Sequence, residues 1–288
     1  MAQEKVLPLF SGGIQKMLLA TICFTVMQVF VKELATMHTF EITFFRSVIT
    51  ALFCLTYLWY QDLPIIGNNQ KLLFLRAFLG IVSMTSFFFT VQWMPFGASV
   101  SIKYLSPVFA AIAAVVILKE NVRPVQWIFF SMALLGVFLL KGFDNRIETW
   151  SLTIGIMGAV AGGLIYPLIR KIGNSEHPFT IINYFMLTAA IVLGLLMIPF
   201  WRTPTGVEWL YLLTLGTSGF FAQVFMTQAF QMEEVSLIAP MKYLEVIYAL
   251  LIGLIFYGEA YAFMSFIGIL LIFLGMILNI RFKKSRKF

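Results

Sequence analysis

The chain has 288 residues, of which 60% are hydrophobic and 11% are charged, and its net charge is +7. Soluble domains carry about 25% charged residues, so this sequence lacks the polar surface that would cover a water-soluble particle of its size. The composition therefore excludes a water-soluble domain and predicts a protein whose exterior is covered mostly by lipid.

Few residues offer metal, redox or catalytic chemistry. Cys23 and Cys54 fall inside apolar segments and suggest no disulfide framework. His38 and His177 stand alone, whereas a metal site needs three or four convergent ligands and an enzyme needs a nucleophile with a base. The basic residues are spread over loops rather than gathered in one patch. We therefore expect no metal, no cofactor, no enzymatic activity and no nucleic-acid partner.

Polar or Pro/Gly-bearing breaks divide the chain into ten apolar runs, each close to the roughly 20 residues that a helix needs to cross the hydrocarbon of a bilayer. Several of the breaks are only three or four residues long, which leaves no room for a soluble domain between helices. The sequence therefore predicts an all-α membrane protein with ten transmembrane helices. The runs are 14–33, 41–60, 72–92, 97–118, 124–141, 151–170, 179–200, 207–230, 235–257 and 262–281.

The distribution of basic residues predicts the orientation of these helices. Ten spans place both termini on one side of the membrane. If that side is the cytoplasm, the inside segments hold 13 of the 20 Lys and Arg residues and the outside segments hold four, with three inside spans. Cytoplasmic loops are the ones enriched in Lys and Arg. We therefore expect a multi-pass protein of the inner or plasma membrane with both termini cytoplasmic.

The second half of the sequence repeats the first. Lys103-Tyr104-Leu105 recurs as Lys242-Tyr243-Leu244, an offset of 139 residues. Each repeat holds five spans, an odd number, so the second copy enters the membrane from the opposite side. We predict two inverted repeats, residues 1–148 and 149–288, an arrangement typical of secondary transporters. The same offset pairs Lys32 with Lys171, Gly80 with Gly219, Gln92 with Gln231, Glu120 with Glu259, and Gly136 with Gly275.

Several short motifs carry a resemblance to a known family. They are Leu75–Gly80 (LRAFLG), Gly97–Val100 (GASV), Ser106–Phe109 (SPVF) and Leu118–Glu120 (LKE), together with Arg46 and Gly136. With them the whole chain resembles two EamA domains of the drug/metabolite transporter superfamily, although Glu245-Val246 stands where the first copy has Ser106-Pro107. The resemblance implies a ten-helix basket with a central cavity lined by spans one, three, four, six, eight and nine. It also implies that spans five and ten pack together.

Glu245 is the charged residue that the sequence places deepest in the bilayer. A charge there costs roughly 2.5–3.5 kcal/mol on insertion scales and needs a partner or a wet cavity. Glu245 is about ten residues into span nine, hence about 15 Å deep, and Lys242 precedes it by three positions on one helix face. Glu245 is expected to take up a coupling proton or to hold a cationic group. The alternative is a Lys242–Glu245 pair that only fixes packing.

Lys103 and Lys242 are repeat mates, so inversion places them in opposite halves of the depth of one cavity. Two ammonium groups there would suit a carboxylate or a phosphate, whereas the alternative is that a long side chain reaches up to the interface. Tyr104 and Tyr243 follow the lysines, and glutamines on spans one and eight are further candidates for the cavity wall. The candidate substrate site comprises Lys103, Tyr104, Lys242, Tyr243, Glu245, Gln28 and Gln228.

Other polar residues within or beside the spans are expected to be structural. Arg46 lies near the start of span two and is expected to extend outward to the interface. Glu120 and Glu259 are expected to satisfy free amide groups of the helices that begin near Pro124 and Tyr261. A face of small residues on span six predicts close helix approach: Gly158, Gly162 and Gly163.

These features together predict a secondary-active transporter. No Gly-rich nucleotide-binding motif is present, so ATP is not expected to drive it directly. We expect alternating access, a small organic metabolite of the amino-acid-like or adenosyl type (such as S-adenosylmethionine) as substrate, and a role as exporter or exchanger with a proton as a candidate coupling ion. We expect a monomer, with a dimer left open. A facilitative channel or a structural membrane protein without coupled transport remains the alternative.

Overall fold

The computed structural model describes residues 12–106, 108–109, 112–113, 124–172, 175–232, 242 and 244–282. The residues outside this description include Pro107, Glu120, Pro240, Tyr243 and the basic residues from Lys283 onward. In the part that is described there are ten α-helices, one 3-10 turn (Ile198–Phe200) and no strand. The helices are α1 Gly12–Glu33, α2 Thr39–Tyr60, α3 Gln70–Trp93, α4 Phe96–Lys103, α5 Pro124–Phe143, α6 Thr149–Ile172, α7 Pro178–Leu196, α8 Glu208–Met232, α9 Leu244–Phe256 and α10 Phe263–Phe282.

The helices occupy the ten predicted apolar runs and confirm the all-α fold. Five of them, α1, α2, α3, α7 and the Glu208–Ala229 part of α8, are long and apolar enough to cross a membrane by length and composition, and shorter apolar helices lie in α5, α6, α9 and α10. Large apolar side chains cover the exterior, whereas many polar side chains of the described residues are buried inside. This inside-out distribution suits a protein that has lipid rather than water around it.

The two five-helix repeats interlock. The most extensive contacts of the described helices are α5 with α10, α1 with α8, α3 with α6, and α2 with α7, and all of them join one repeat to the other. Under the 139-residue offset α1 corresponds to α6 and α3 to α8, so α1–α8 and α6–α3 are equivalent contacts. In α2–α7 and α5–α10 each helix meets its own mate, and α4 packs on α9, which belongs to the equivalent span of the other repeat. The pattern is that of a two-fold axis relating inverted repeats, and the implied packing of spans five and ten is confirmed.

The α5–α10 contact depends on a pair of glycines 139 residues apart. A Cβ added to Gly136 would lie 2.5 Å from the carbonyl oxygen of Gly268, and one added to Gly275 would lie 2.6 Å from that of Phe129. Real Cβ atoms do not approach a backbone oxygen so closely, so the two helices touch through their main chains. Small residues allow this close approach in membranes.

We predict that Gly136→Ala destabilises the protein by about 1–3 kcal/mol, because the added methyl group meets backbone rather than a flexible side chain. The thermal midpoint of the detergent-purified protein, followed by tryptophan fluorescence, measures this change. Leu135→Ala is the matched control, since Leu135 is 58% exposed on the lipid face of α5. Equal midpoints for Gly136→Ala and Leu135→Ala would contradict the main-chain contact.

Two histidines that are repeat mates cap two helices that are repeat mates. The Nδ1 atom of His38 accepts the backbone N–H of Phe40 at 3.3 Å at the start of α2, and the Nδ1 of His177 accepts that of Phe179 at 3.3 Å at the start of α7. A histidine nitrogen accepts a hydrogen bond only when it carries no proton. Burial lowers the pKa of both imidazoles below the ordinary value of 6.5, against a smaller opposing effect of Glu41 on His38.

These lowered pKa values predict a loss of stability in mild acid. The unfolded histidines bind protons more readily than the folded ones, so the stabilisation is complete above about pH 6.5 and is lost as the pH falls toward the folded pKa. We expect the double variant His38→Asn/His177→Asn to lose less stability than the wild type between pH 7 and pH 5.5, because asparagine also caps helices but does not titrate. Thermal midpoints across this range test it. Parallel curves for the two proteins would rule out the histidine caps as the cause.

Candidate functional site

Glu245 lies fully buried in the first turn of α9 and connects the two repeats. Its Oε2 atom accepts a hydrogen bond from Gln28 Nε2 of α1 at 2.9 Å and forms an ion pair with Lys103 Nζ of α4 at 3.4 Å. Three of the predicted site residues, distant in sequence, therefore meet at one carboxylate oxygen. We call Gln28, Lys103 and Glu245 the central cluster.

Both repeat-related lysines approach the same aromatic ring. Lys103 Nζ lies 5.5 Å from the centroid of Phe24 and 4.2 Å from that of Phe87. Lys242 Nζ also lies 5.5 Å from the centroid of Phe24 and 3.4 Å from the Sδ of Met226. Aromatic faces attract cations, more strongly where water is excluded. One lysine of each repeat thus lies near the ring of Phe24.

The ion pair of Glu245 differs from the one expected on a single helix face. Lys103 of the other repeat supplies it, and Lys242 takes part in none of the ion pairs that the structure gives for its described residues. The Lys242 ammonium group instead approaches the ring of Phe24 and the Sδ of Met226.

The remaining predicted residues lie around the cluster or outside it. Tyr104 is buried at the end of α4, with its ring centroid 5.7 Å from Lys103 Nζ. Gln228 is half-buried on α8 and makes none of the hydrogen bonds described for the cluster. Tyr243 lies outside the described residues. Phe24 and Phe87 were missed by the sequence analysis because nothing distinguishes them among 31 phenylalanines.

A small cavity lies beside Lys103, between α3 and α6. Its volume of about 10 Å³ is the room that a single water molecule needs. The predicted small face of α6 explains the tight wall, since a Cβ on Gly158 would lie 2.6 Å from the Cβ of Ser86 and one on Gly162 would lie 2.9 Å from the Oγ of Ser83. In this conformation the cavity is too small for an organic solute. It is lined by Ser83, Phe87, Thr90, Lys103, Gly155, Gly158 and Ala159.

The central cluster retains hydrogen-bonding capacity. Within the described part of the chain, Glu245 Oε1 and Gln28 Oε1 are buried and have no hydrogen-bond partner. A carboxylate oxygen and an amide oxygen are both acceptors, so a protonated amine or a proton on Glu245 would satisfy them. The cluster can therefore bind a cationic group at Glu245 and an anionic group at Lys103.

A second cluster closes one end of the helix bundle. Both carboxylate oxygens of Glu259 accept the backbone N–H of Phe96, at 2.9 and 2.8 Å, and Tyr261 Oη donates to Glu259 Oε2 at 2.6 Å. Lys32 Nζ lies 3.7 Å from Glu259 Oε1 and donates to the carbonyl of Met94 at 2.9 Å. We call Lys32, Glu259 and Tyr261 the end cluster; it joins the end of α1, the start of α4 and the α9–α10 connection.

The end cluster corrects one expectation. Glu259 does cap a helix start, but the helix is α4 of the other repeat and not the one that begins near Tyr261. The free amide of Phe96 lies against the α9–α10 connection because α4 packs on α9. Burial and the hydrogen bond to Glu259 raise the pKa of Tyr261, so its hydroxyl keeps the proton that it donates.

Arg46 also differs from expectation. Its side chain does not reach the interface; it is 3% exposed, and its guanidinium contacts Met84 Sδ and lies over the ring of Phe88. The face of α2 that carries Arg46 is directed into the bundle rather than toward lipid, so extension to the interface is blocked.

The comparisons with known proteins agree with this architecture. The sequence profile of the EamA-like transporter family matches twice, at residues 11–142 and 149–281. The pseudopaline exporter CntI of Pseudomonas aeruginosa is 28% identical over 97% of this chain and 100% of its own length. Human solute carrier family 35 member G1 is 28% identical, covering 89% of this chain and 75% of its own. The S-adenosylmethionine uptake transporter of Rickettsia prowazekii is 25% identical, covering 87% and 86%.

A solved crystal structure shares the fold. It superimposes with a TM-score of 0.66 at 15% identity, covering 93% of this chain and 97% of the other. The two profile matches span almost the whole sequence, and each covers one set of five helices up to its last residue but one. This chain is therefore a multi-pass membrane protein that belongs to the EamA-like transporter family.

Proposed function

We propose that this protein is a secondary-active transporter that moves a small organic metabolite by alternating access, with the central cluster as its binding and coupling site. The proposal rests on the buried contact between the repeats at Glu245. Its Oε2 atom accepts a hydrogen bond from Gln28 and forms an ion pair with Lys103, both of the first repeat. A ligand that competes for this carboxylate weakens a contact between the two halves. Binding and relative movement of the repeats are thereby linked.

Charge exchange supplies the coupling. A substrate ammonium group replaces Lys103 at Glu245, and a substrate carboxylate then takes Lys103, so no charge is left buried and unpaired. A proton on Glu245 has a related effect, because it removes the ion pair and frees the Lys103 ammonium group. The cluster therefore suits either exchange of two zwitterions or coupling of a zwitterion to a proton.

The groups around the cluster favour an amino-acid-like or adenosyl-type substrate. Glu245 and Lys103 together match an ammonium and a carboxylate, and the rings of Phe24 and Phe87 beside Lys103 offer surfaces for a flat or apolar group. One relative is named as an S-adenosylmethionine uptake transporter and another as a pseudopaline exporter. We propose export or exchange as the direction for this chain.

Alternating access is supported by two features of the closed bundle. The cavity beside Lys103 has room for about one water molecule, so a solute occupies this space only when α3 and α6 separate. The end cluster holds α1, α4 and the α9–α10 connection together at one end. Opening at that end requires the Lys32–Glu259 contact to break. Inverted repeats allow the opposite end to open by the equivalent movement.

We expect Glu245→Gln to fold but to lose substrate binding by about 30-fold or more, because the ion pair with Lys103 is removed while the side-chain shape is kept; this corresponds to about 2 kcal/mol. Binding to the detergent-purified protein and uptake into proteoliposomes measure the loss. The matched control is Glu208→Gln, which removes a carboxylate bonded to Arg202 at the start of α8. Wild-type binding by Glu245→Gln would exclude Glu245 as the site.

The substrate class is tested by a thermal-shift screen of the purified protein against amino acids, adenosyl compounds and other metabolites. A ligand that binds only the folded state raises the thermal midpoint by mass action. We expect a zwitterion to raise the midpoint of the wild type and of Glu208→Gln but not of Glu245→Gln or Lys103→Met. A hit that all four proteins share would place the site elsewhere. No hit from a well-folded sample would favour a channel or a structural role.

A further inference from the structure

Two arginines lie deep inside the helix bundle and away from the central cluster. Arg46 of α2 is 3% exposed and Arg76 of α3 is 7% exposed. A guanidinium group stays protonated in proteins, so both sites carry a full positive charge. Removing such a charge from water is costly unless it is paired or hydrogen-bonded. The surroundings of these two groups therefore decide how that cost is offset.

The protein supplies each guanidinium with aromatic and sulfur contacts rather than carboxylates. Arg46 contacts Met84 Sδ, a weak acceptor, and its Cζ lies 5.5 Å from the ring centroid of Phe88. Arg76 has its Cζ 4.2 Å from the ring centroid of Phe185. Within the described part of the chain, Arg46 Nε, Arg76 Nε and Arg76 Nη1 are buried N–H groups with no acceptor, and neither arginine joins an ion pair.

Arg76 Nη1 lies beside Gly80 and Arg46 contacts Met84, four residues further along α3, so the two guanidinium groups lie about one helical turn apart. Each faces a glycine, and these glycines are repeat mates: a Cβ on Gly80 would lie 2.7 Å from Arg76 Nη1, and one on Gly219 would lie 3.1 Å from Arg46 Nε. Two like charges are thus held in one region between α2, α3, α7 and α8. Their unpartnered N–H groups are strong donors that match the oxygens of an anion.

This region is separate from the binding site proposed above. Met84, which contacts Arg46, and Ser83, which lines the cavity beside Lys103, are adjacent on α3 and therefore about 100° apart around the helix. The carboxylate of Glu245 is bonded to Gln28 and Lys103, and it is not a partner of either arginine. An anion bound by the two arginines would therefore lie on a different side of α3 from the cavity beside Lys103.

We propose that Arg46 and Arg76 form a second anion-binding site that takes one small monovalent anion, either a carboxylate group or a halide. The anion accepts the free N–H groups of both guanidiniums and screens their mutual repulsion. It fixes α2 and α3 relative to each other, since the two donors lie on different helices. The anion is supplied from solution or as a carboxylate of the transported solute.

Thermal midpoints of the full-length purified protein in different sodium salts at equal ionic strength test the site. We expect formate or chloride to raise the midpoint by about 5 °C over gluconate, whose anion is much larger, because a bound anion stabilises the folded state. Arg46→Met and Arg76→Met should abolish this rise. Arg202→Met is the control, because it removes an exposed cation outside both sites; it should keep the rise.

The titration of the wild type with formate decides the proposal even if the methionine variants do not fold. A saturable rise supports the site, and a rise of the same size for formate, chloride and gluconate overturns it. A rise lost in Lys103→Met but kept in Arg76→Met also overturns it, because the anion would then bind at the central cluster. Arg46→Lys and Arg76→Lys keep the charge and should keep a weaker rise. If a transported substrate competes with formate, the bound anion is a carboxylate of that substrate. If the midpoint shifts caused by substrate and by formate add, the bound anion is a free one from solution.

Discussion

A polar group buried in hydrocarbon has to find its partner inside the protein, since lipid offers none. For two buried carboxylates of this chain, partners come from the other repeat. Glu245 accepts a hydrogen bond from Gln28 and forms an ion pair with Lys103. Glu259 accepts a hydrogen bond from the free amide of Phe96 at the start of α4. Because these bonds cross between the halves, the same requirement that stabilises the bundle also joins the two units whose relative movement would carry transport.

Close packing makes those bonds possible. The main helix contacts of the described residues run from one repeat to the other, and glycines bring the backbones together at Gly136, Gly158 and Gly275. A cavity of about 10 Å³ is the direct result on the α3–α6 side. The buried carboxylate of Glu245 depends on Gln28 and Lys103, so a ligand that replaces one of them changes the balance between the halves.

The sequence predicted the features that depend on local composition and periodicity. Ten apolar runs gave ten helices, because hydrophobic length alone decides whether a helix can cross a bilayer. The 139-residue offset indicated inverted repeats, because an odd number of spans reverses the second copy. The family resemblance implied the packing of α5 on α10, which the structure shows. The sequence also named Gln28, Lys103 and Glu245 as candidate site residues, and these three side chains meet at one carboxylate oxygen.

The tertiary structure alone decided which groups pair. The sequence offered Lys242 as a partner of Glu245, whereas Lys103 of the other repeat provides the ion pair. The sequence gave no sign that both lysines approach the ring of Phe24, or that Arg46 and Arg76 are directed inward. Composition and periodicity report how far into the membrane a residue lies. The partner of a buried charge depends on the rotation and end point of each helix, and these are fixed only when the two repeats pack against each other.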